Sequence, residues 1–315
     1  MNDLTKLFVN RKNLTLGVTY GLLAASLEAT VNVVPKPLLD QEYGTDITEP
    51  MMLVSIIYII NCLLFTPFTR KDNAIKNLKR KTVLLLVIIG FIEVLSTIFF
   101  LYGLRETTAV NATILLNSEI VFGILIAFIF LMERIQRHEI LPIIMIVVGS
   151  TIIPFTKDML FQDHVGNENI FTANVLGDSY VLIAGLLLGL VTCLYRYVAE
   201  FVTLSRIMQI TSGVGGIVGV SFIVIFDIPI TFDLSQLPST LFVGIFGIGI
   251  SAFCYIYALK LIGAVRTIII FSSTAIFGII FANIMLLETI SFENIISVIL
   301  VIGGIIFLRN KVSDK

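Results

Sequence analysis

The sequence predicts an all-α polytopic membrane protein with ten transmembrane helices in two inverted five-helix repeats and both termini in the cytoplasm. Three observations lead to this fold class: the chain is very apolar, one stretch occurs twice, and the basic residues cluster on alternate loops. Of 315 residues, 57% are hydrophobic and 14% are charged, and the mean hydropathy is +1.00. Soluble domains carry about 25% charged residues. The composition therefore places the chain in a lipid bilayer.

Ten apolar runs are long enough to cross the hydrocarbon core, which takes about 20 residues. They are residues 14–34, 51–68, 82–103, 107–131, 139–155, 178–199, 205–226, 239–260, 264–287 and 291–308. The first run follows three basic residues, as a secretory signal does. It is longer than a signal core, however, and no small-residue cleavage site followed by soluble sequence comes after it. We therefore interpret it as a helix.

Residues 109–135 recur as residues 264–290. At a constant offset of 155, the two copies are identical at 12 of 27 positions, with Glu133 opposite Glu288 near their ends. This self-similarity divides the chain into a first repeat at 1–156, an extracellular linker at 157–176 and a second repeat at 177–315. Because five helices separate equivalent positions, the second repeat must cross the membrane in the opposite direction.

The basic residues set the orientation. With a cytoplasmic N-terminus, 18 of the 21 lie in cytoplasmic segments, and only Lys36, Arg105 and Lys157 lie outside. This positive-inside bias predicts cytoplasmic termini. Inverted repeats are typical of alternating-access carriers, whose substrate site lies near the midplane between the halves. The alternative is that the duplication only builds a stable bundle.

The runs FLYGLRETTAVNATILLNSEIVFGILIAFIFLMERI and SAFCYIYALKLIGAVRTIIIFSSTAIFGIIFANIMLLETI resemble the EamA-type drug/metabolite transporter superfamily. The resemblance implies an exporter or exchanger of small metabolites such as amino acids. It also implies a central cavity lined by helices one, three, four, six, eight and nine. Members commonly carry Glu-Pro in helix four and often in helix nine. This chain has Glu119-Ile120 and Thr274-Ala275 instead, so kinks made by proline are not expected there.

Three carboxylates lie well inside predicted spans, away from their ends: Glu28, Glu93 and Glu119. A charged group at the bilayer centre costs roughly 2.5–3.5 kcal/mol, so each should face protein or a wet cavity. At the offset of 155, Glu93 lies opposite Ile248 and Glu119 opposite Thr274, which predicts an asymmetric cavity. One hypothesis is that these carboxylates bind a cationic substrate group or exchange a proton, since desolvation favours the neutral carboxyl group. The alternative is a protonated glutamate that donates an interhelical hydrogen bond.

The other candidate substrate or proton sites are polar residues at similar depth. They are Asn117 and Ser118 beside Glu119, and in the second half Ser272, Ser273, Thr274, Tyr195, Tyr255 and Tyr257. The alternative is that the small polar residues only allow close helix packing. Arg196, Lys260 and Arg266 could hold an anion, but they lie near the cytoplasmic rim, where long basic side chains reach water.

The sequence carries no motif for covalent chemistry. It lacks a phosphate-binding Gly-x-x-x-x-Gly-Lys loop, and no His/Cys cluster has metal-ligand spacing. We expect no enzyme activity, cofactor, metal or nucleic-acid partner. The expected partners are a small-molecule substrate and the bilayer, and the oligomeric state is left open between monomer and dimer. Cys62, Cys193 and Cys254 lie within apolar runs and are interpreted as reduced packing residues.

These observations together predict a secondary active transporter in the plasma or inner membrane. It would export a small organic metabolite, an amino-acid-like compound or a drug by alternating access, with proton coupling as a hypothesis. Two alternatives stay open. One is an obligate exchanger of a sugar phosphate or nucleotide-linked sugar, which would need basic residues in the cavity. The other is a channel.

Overall fold

The computed structural model describes residues 11–39, 48–69, 78–116, 118–130, 168–230 and 232–288, with single positions in 140–149 and 292–307. This part of the chain consists of helices joined by turns. Seven of its helices are long and apolar enough to cross a membrane. They are Pro50–Thr69, Arg80–Glu106, Ala109–Ile129, Leu176–Val198, Leu204–Ile225, Leu234–Ile262 and Arg266–Leu286. Each matches one predicted run, whereas the predicted fifth and tenth runs lie largely outside the described residues.

The helices follow one another in the order of the predicted runs. The first half contains α1 (Arg11–Glu28), α2 (Lys36–Leu39), α3 (Pro50–Phe65), α4 (Arg80–Glu106), α5 (Ala109–Leu116) and α6 (Ser118–Phe130). The second half contains α7 (Glu168–Val198), α8 (Leu204–Ile225), α9 (Leu237–Phe242), a π-helix (Val243–Ile250), α10 (Ser251–Ile262), α11 (Ala264–Phe271) and α12 (Thr274–Leu286). The ninth run thus consists of two helices in sequence, α11 and α12, whereas α5 and α6 are the described parts of one span, Ala109–Ile129, on either side of residue 117.

The first predicted run, 14–34, is longer than its helix, because α1 ends at Glu28. Beyond it the backbone tightens into turns with hydrogen bonds to the third residue back, such as Thr30 N to Leu27 O at 3.0 Å and Val31 N to Glu28 O at 2.8 Å. Pro35 follows, and proline both lacks an N–H group and disfavours the α conformation in the residue before it. The break therefore puts non-α backbone directly after a carboxylate.

The two halves make equivalent contacts. Helix α4 packs on α7 in the same way that α10 packs on α1. Ser96 Oγ donates to Ala184 O at 2.9 Å, and Ser251 Oγ donates to Ala24 O at 3.0 Å. Ser96 and Ser251 occupy equivalent positions of the repeat. One interhelical hydrogen bond therefore forms twice, and each time it joins the two halves.

Glycines allow α6 and α7 to pack backbone against backbone. A Cβ atom built on Gly189 would lie 2.7 Å from Gly123 N and 3.1 Å from Glu119 O. A Cβ atom on Gly185 would collide with Ser118 Oγ. Small residues at four-residue spacing are typical of helix contacts in membranes, where van der Waals packing replaces the hydrophobic effect between helices. Glu119 is therefore held on a closely packed helix pair.

Charged side chains tie helix ends together at the end of the bundle that the charge pattern assigns to the outside. Lys36 Nζ donates to Leu104 O at 3.1 Å and to Arg105 O at 3.3 Å, at the C-terminus of α4. The carboxylate of Glu288 accepts hydrogen bonds of 3.1 and 3.0 Å from the first two N–H groups of α5. Both contacts are favourable for the helix dipole, because the ammonium group lies at the negative C-terminus of α4 and the carboxylate lies at the positive N-terminus of α5. Glu288 thus lies at a helix interface and outside the central cavity.

A short capped turn precedes α9 at the same end. The Asp233 side chain accepts hydrogen bonds from the backbone and the hydroxyl group of Ser235 at 3.2 and 2.8 Å, and these bonds hold the pKa of Asp233 below its ordinary value. Gln236 completes the cap and also accepts a hydrogen bond from Thr48. This turn connects the start of the eighth span to the segment before α3.

Candidate functional site

A central cavity lies between the two halves, at the middle of the long helices. It contains about 990 Å³ of space, including space open to solvent. Its polar and aromatic lining residues are Glu28, Tyr58, Glu93, Ser96, Thr97, Phe100, Thr113, Glu119, Thr192, Tyr195, Ser251, Tyr255, Phe271, Ser272 and Thr274. They come from the first, third, fourth, sixth, eighth and ninth spans, as the family resemblance implies, with Tyr58 added from the second.

Glu119 lies in the first turn of α6 and is only 7% exposed. Its Oε1 atom accepts a hydrogen bond of 2.9 Å from Thr192 Oγ1 and one of 3.3 Å from Tyr255 Oη. The two hydroxyl oxygens are 3.0 Å apart, so either hydroxyl can donate its single proton to the other instead of to Glu119. These contacts join α6, α7 and α10 around one carboxylate, and both hydrogen bonds reach the same oxygen. Within the described chain, Oε2 has no partner.

Glu93 lies near the middle of α4 and is also 7% exposed. Its Oε2 atom accepts a hydrogen bond of 2.5 Å from Tyr195 Oη, which lies 3.3 Å from Thr211 Oγ1 of α8. One turn along α4, Thr97 donates to the backbone carbonyl of Glu93 and shares a 2.9 Å hydrogen bond with Tyr58 Oη. The second carboxylate is therefore embedded in a network of hydroxyl groups.

Glu28 approaches the cavity from the end of α1, where the helix gives way to turns. Its Oε2 atom accepts a hydrogen bond of 2.9 Å from Ser251 Oγ, directly after the π-helix. The same hydroxyl lies 3.0 Å from Ala24 O, the symmetry-related contact described above. Glu28 is partly buried, and its other oxygen accepts no hydrogen bond from the described residues. The third carboxylate thus joins α1 to α10.

Helix α7 carries partners of two of the carboxylates. Thr192 donates to Glu119, and Tyr195 donates to Glu93. Residues three apart on a helix are neighbours on one face, with Cβ atoms about 5–6 Å apart. One face of α7 therefore binds both Glu93 and Glu119.

The cavity is acidic. Its described lining contains three glutamates and no lysine, arginine or histidine. Of the basic residues considered for an anion, Arg196 binds Glu200 at 2.9 Å, four residues further along the chain. A further arginine, Arg206 in the first turn of α8, donates to Thr69 O and Gln209 Oε1. These two arginines therefore bind partners outside the described cavity lining.

The structure brings together most of the residues singled out in the sequence, but not all. The three glutamates line the cavity with Tyr195, Tyr255, Ser272 and Thr274. Ser118 and Ser273 are buried but lie outside the cavity, where Ser273 Oγ donates to Ile270 O. Tyr257 also lies outside and packs edge-on against Tyr20 with ring centroids 4.8 Å apart. Asn117 is outside the described residues.

Some contributors to the site have no strong signal in the sequence. Thr192, Thr97 and Tyr58 bind the glutamates or their neighbours, yet each is a hydroxyl residue within a largely apolar run. Thr97 alone has a local indication, because it follows Glu93 by four residues and so shares its helix face. The other two reach the site only through the packing of one helix on another.

The chain matches the model of the EamA-like transporter family twice, over residues 15–155 and 175–310. It is 32% identical over 240 residues to an uncharacterized transporter of Methanothermobacter thermautotrophicus, covering 76% of this chain and 68% of that protein. It is 25% identical over 293 residues to an uncharacterized transporter of Clostridium kluyveri, with 91% of each chain covered.

A solved structure described only as a crystal structure of a protein shares the fold. It superposes with a TM-score of 0.71, covers 93% of this chain and 96% of its own length, and is 12% identical in sequence. At that identity the likeness concerns the fold alone. The family match covers both halves of the chain, and the homologous proteins are named as transporters. The chain is therefore a multi-pass membrane transporter that belongs to the EamA-like transporter family.

Proposed function

We propose that this transporter is a secondary active exporter that moves a small organic metabolite or drug with a cationic group by alternating access, in exchange for protons. The observation that carries the proposal is the acidic cavity, in which Glu28, Glu93 and Glu119 line one space without a described basic neighbour. A buried carboxylate needs a counter-charge or a proton. A cationic substrate and protons can therefore compete for the same groups, which is the basis of exchange.

Alternation between the two sides of the membrane follows from the repeat. In a protein with two inverted halves, each half can adopt the conformation of the other. When the two halves exchange conformations, the central site opens to the opposite side of the membrane. The paired hydrogen bonds of Ser96 and Ser251 agree with such an arrangement. We propose ten spans and cytoplasmic termini on the charge pattern, which also favours a plasma or inner membrane location.

Two other functions are less well supported. An exchanger of sugar phosphates would need cations in the cavity to bind the phosphate, and the described lining holds none. A channel would need a continuous aqueous path, whereas Glu93 and Glu119 are each only 7% exposed. Saturable flux that is stimulated by unlabelled solute on the opposite side indicates a carrier, while voltage-driven ionic currents indicate a channel.

The test uses purified protein in proteoliposomes with an imposed pH gradient and three labelled probes: ethidium, arginine and glucose 6-phosphate. We expect the gradient to drive accumulation of a cationic probe and not of the phosphate. Glu93→Gln and Glu119→Gln should each lower gradient-driven accumulation at least tenfold, because glutamine cannot exchange a proton. Glu200→Gln is the matched control, since Glu200 is exposed and pairs with Arg196. Accumulation with unchanged pH dependence in both cavity variants would show that proton coupling through these residues is wrong.

A further inference from the structure

The charge balance of the cavity restricts the substrate further than the proposed function does. Amino acids carry a carboxylate as well as an amino group. Such a carboxylate would enter a space that already contains three glutamates, with no described lysine, arginine or histidine to pair with it. Like charges repel strongly where water is scarce, and an unpaired buried charge is costly. The lining therefore disfavours zwitterions and anions.

The arrangement of the glutamates also indicates the number of cationic groups. Thr192 and Tyr195, neighbours on one face of α7, donate hydrogen bonds to Glu119 and Glu93, and both glutamates line the same cavity. Glu119 Oε2 has no hydrogen-bond partner in the described chain, although the residue is only 7% exposed. An ionised carboxylate accepts up to about four hydrogen bonds. Each glutamate thus retains acceptor capacity for an ammonium group.

The remaining lining suits a methylene chain. Apolar side chains surround the carboxylates, including Leu116, Ile120 and Val191. Beside Glu119, the rings of Tyr255 and Phe271 are 4.4 Å apart and both line the cavity. Aromatic faces attract ammonium groups, most strongly where water is excluded. The site therefore offers two acidic groups bound by one helix, with apolar and aromatic walls around them.

We infer that the substrate is a small aliphatic amine without a carboxylate, with a short α,ω-diamine as the best fit: one ammonium group on Glu93 and the other on Glu119. This inference rests on the proposed transport function and narrows its substrate class. In this arrangement neither ammonium group binds Glu28, which lies at the end of α1 and contributes negative charge at the third side of the cavity.

The test compares cadaverine with lysine, which differ only by the carboxylate of lysine. Binding to purified wild-type protein in detergent is measured by isothermal calorimetry, with putrescine as a shorter diamine. We expect cadaverine to bind at least tenfold more tightly than lysine. Glu93→Gln and Glu119→Gln should each weaken cadaverine binding about tenfold or more, since a hydrogen bond to a charged group is lost, and Glu200→Gln should leave binding unchanged.

Lysine binding as tight as that of cadaverine would overturn the inference, and so would the absence of diamine binding. Neither result depends on a variant, so misfolding of a substituted protein does not affect the comparison. Counterflow of labelled cadaverine in proteoliposomes separates the two proposals. Tight binding without counterflow would refute the transport function and leave the amine site in place. Saturable counterflow of ethidium without diamine binding would refute the amine inference alone.

Discussion

Replacing Gly189 with alanine should separate α6 from α7 and weaken the site around Glu119. The added Cβ atom would lie 2.7 Å from Gly123 N, 3.1 Å from Glu119 O and 3.1 Å from Phe122 C. All three are backbone atoms, so no side-chain rotation relieves the contact. Restoring an ordinary contact of 3.4 Å requires the helices to part by about 0.7 Å.

The expected cost follows from two opposing effects. Overpacking costs typically 1–3 kcal/mol, and a backbone obstacle favours the upper end, about 3 kcal/mol. Alanine is a better helix former than glycine by about 1 kcal/mol, which offsets part of that cost. The net destabilisation should be about 2 kcal/mol. The same displacement would stretch the 2.9 Å hydrogen bond from Thr192 to Glu119 to roughly 3.6 Å, beyond hydrogen-bond range.

Thermal unfolding of purified protein in detergent measures this effect, and Gly123→Ala is the control. Gly123 faces the same helix pair, but its nearest obstacle is the terminal Cδ1 atom of Ile268 at 3.0 Å, which can rotate away. We expect Gly189→Ala to lower the melting temperature by several degrees and Gly123→Ala to leave it nearly unchanged. Equal melting temperatures for the two variants would refute the argument that the α6–α7 contact is limited by backbone.

Two further predictions concern hydrogen bonds between helices. Glu288→Ala should lower stability by about 1–2 kcal/mol, because it removes the acceptor for the first two N–H groups of α5; thermal unfolding measures the loss, and a smaller loss in Glu288→Gln would show that the acceptor oxygen is responsible. Ser96→Ala should cost about 1 kcal/mol, and Ser251→Ala should cost more because it also removes the hydrogen bond to Glu28. Equal losses for the two serine variants would contradict a stabilising contact between Ser251 and Glu28.

The architecture could be predicted well because the features that indicate it can be read directly along the sequence. The length of an apolar run, the duplication and the distribution of basic residues do not depend on knowing which helix touches which. The family match and the seven apolar helices of the described chain confirm an EamA-like, all-helical membrane protein. The count of ten spans and the position of the termini stay predictions, as do the repeat boundaries.

The residues of the cavity were harder to predict, because a helix in a membrane is apolar on every side and gives little sign of which face points inward. Tyr255 and Tyr257 illustrate this. They are two residues apart on α10 and so project to different sides of the helix. Only Tyr255 reaches Glu119, whereas Tyr257 packs against Tyr20. Glutamates are easier to place, since the cost of exposing a charge to lipid leaves few alternatives.

The π-helix bears on how the two halves are aligned. Before the π-helix, residues of the first copy and their equally buried counterparts in the second copy are 154 positions apart. After the π-helix, such counterparts are 155 positions apart. The buried pairs before it are Leu86 with Thr240, Ile89 with Val243 and Gly90 with Gly244, whereas Ser96 pairs with Ser251 after it. A π-helix closes its hydrogen bonds to the fifth residue rather than the fourth, so it accommodates one extra residue. The second copy therefore contains a one-residue insertion within 243–250.

The insertion lies beside the counterpart of Glu93. The constant offset of 155 places Ile248 opposite Glu93, and both residues line the cavity. Gly247 directly precedes Ile248 in the π-helix. A Cβ atom at Gly247 would lie 2.7 Å from Val31 Cγ2, so the first span occupies the space that a side chain would need. At the position of Glu93 the first half thus has an acid, and the second half has the apolar side chain of Ile248. The two copies thus diverged in chain length as well as in residue type, and the insertion lies next to the cavity that both copies form.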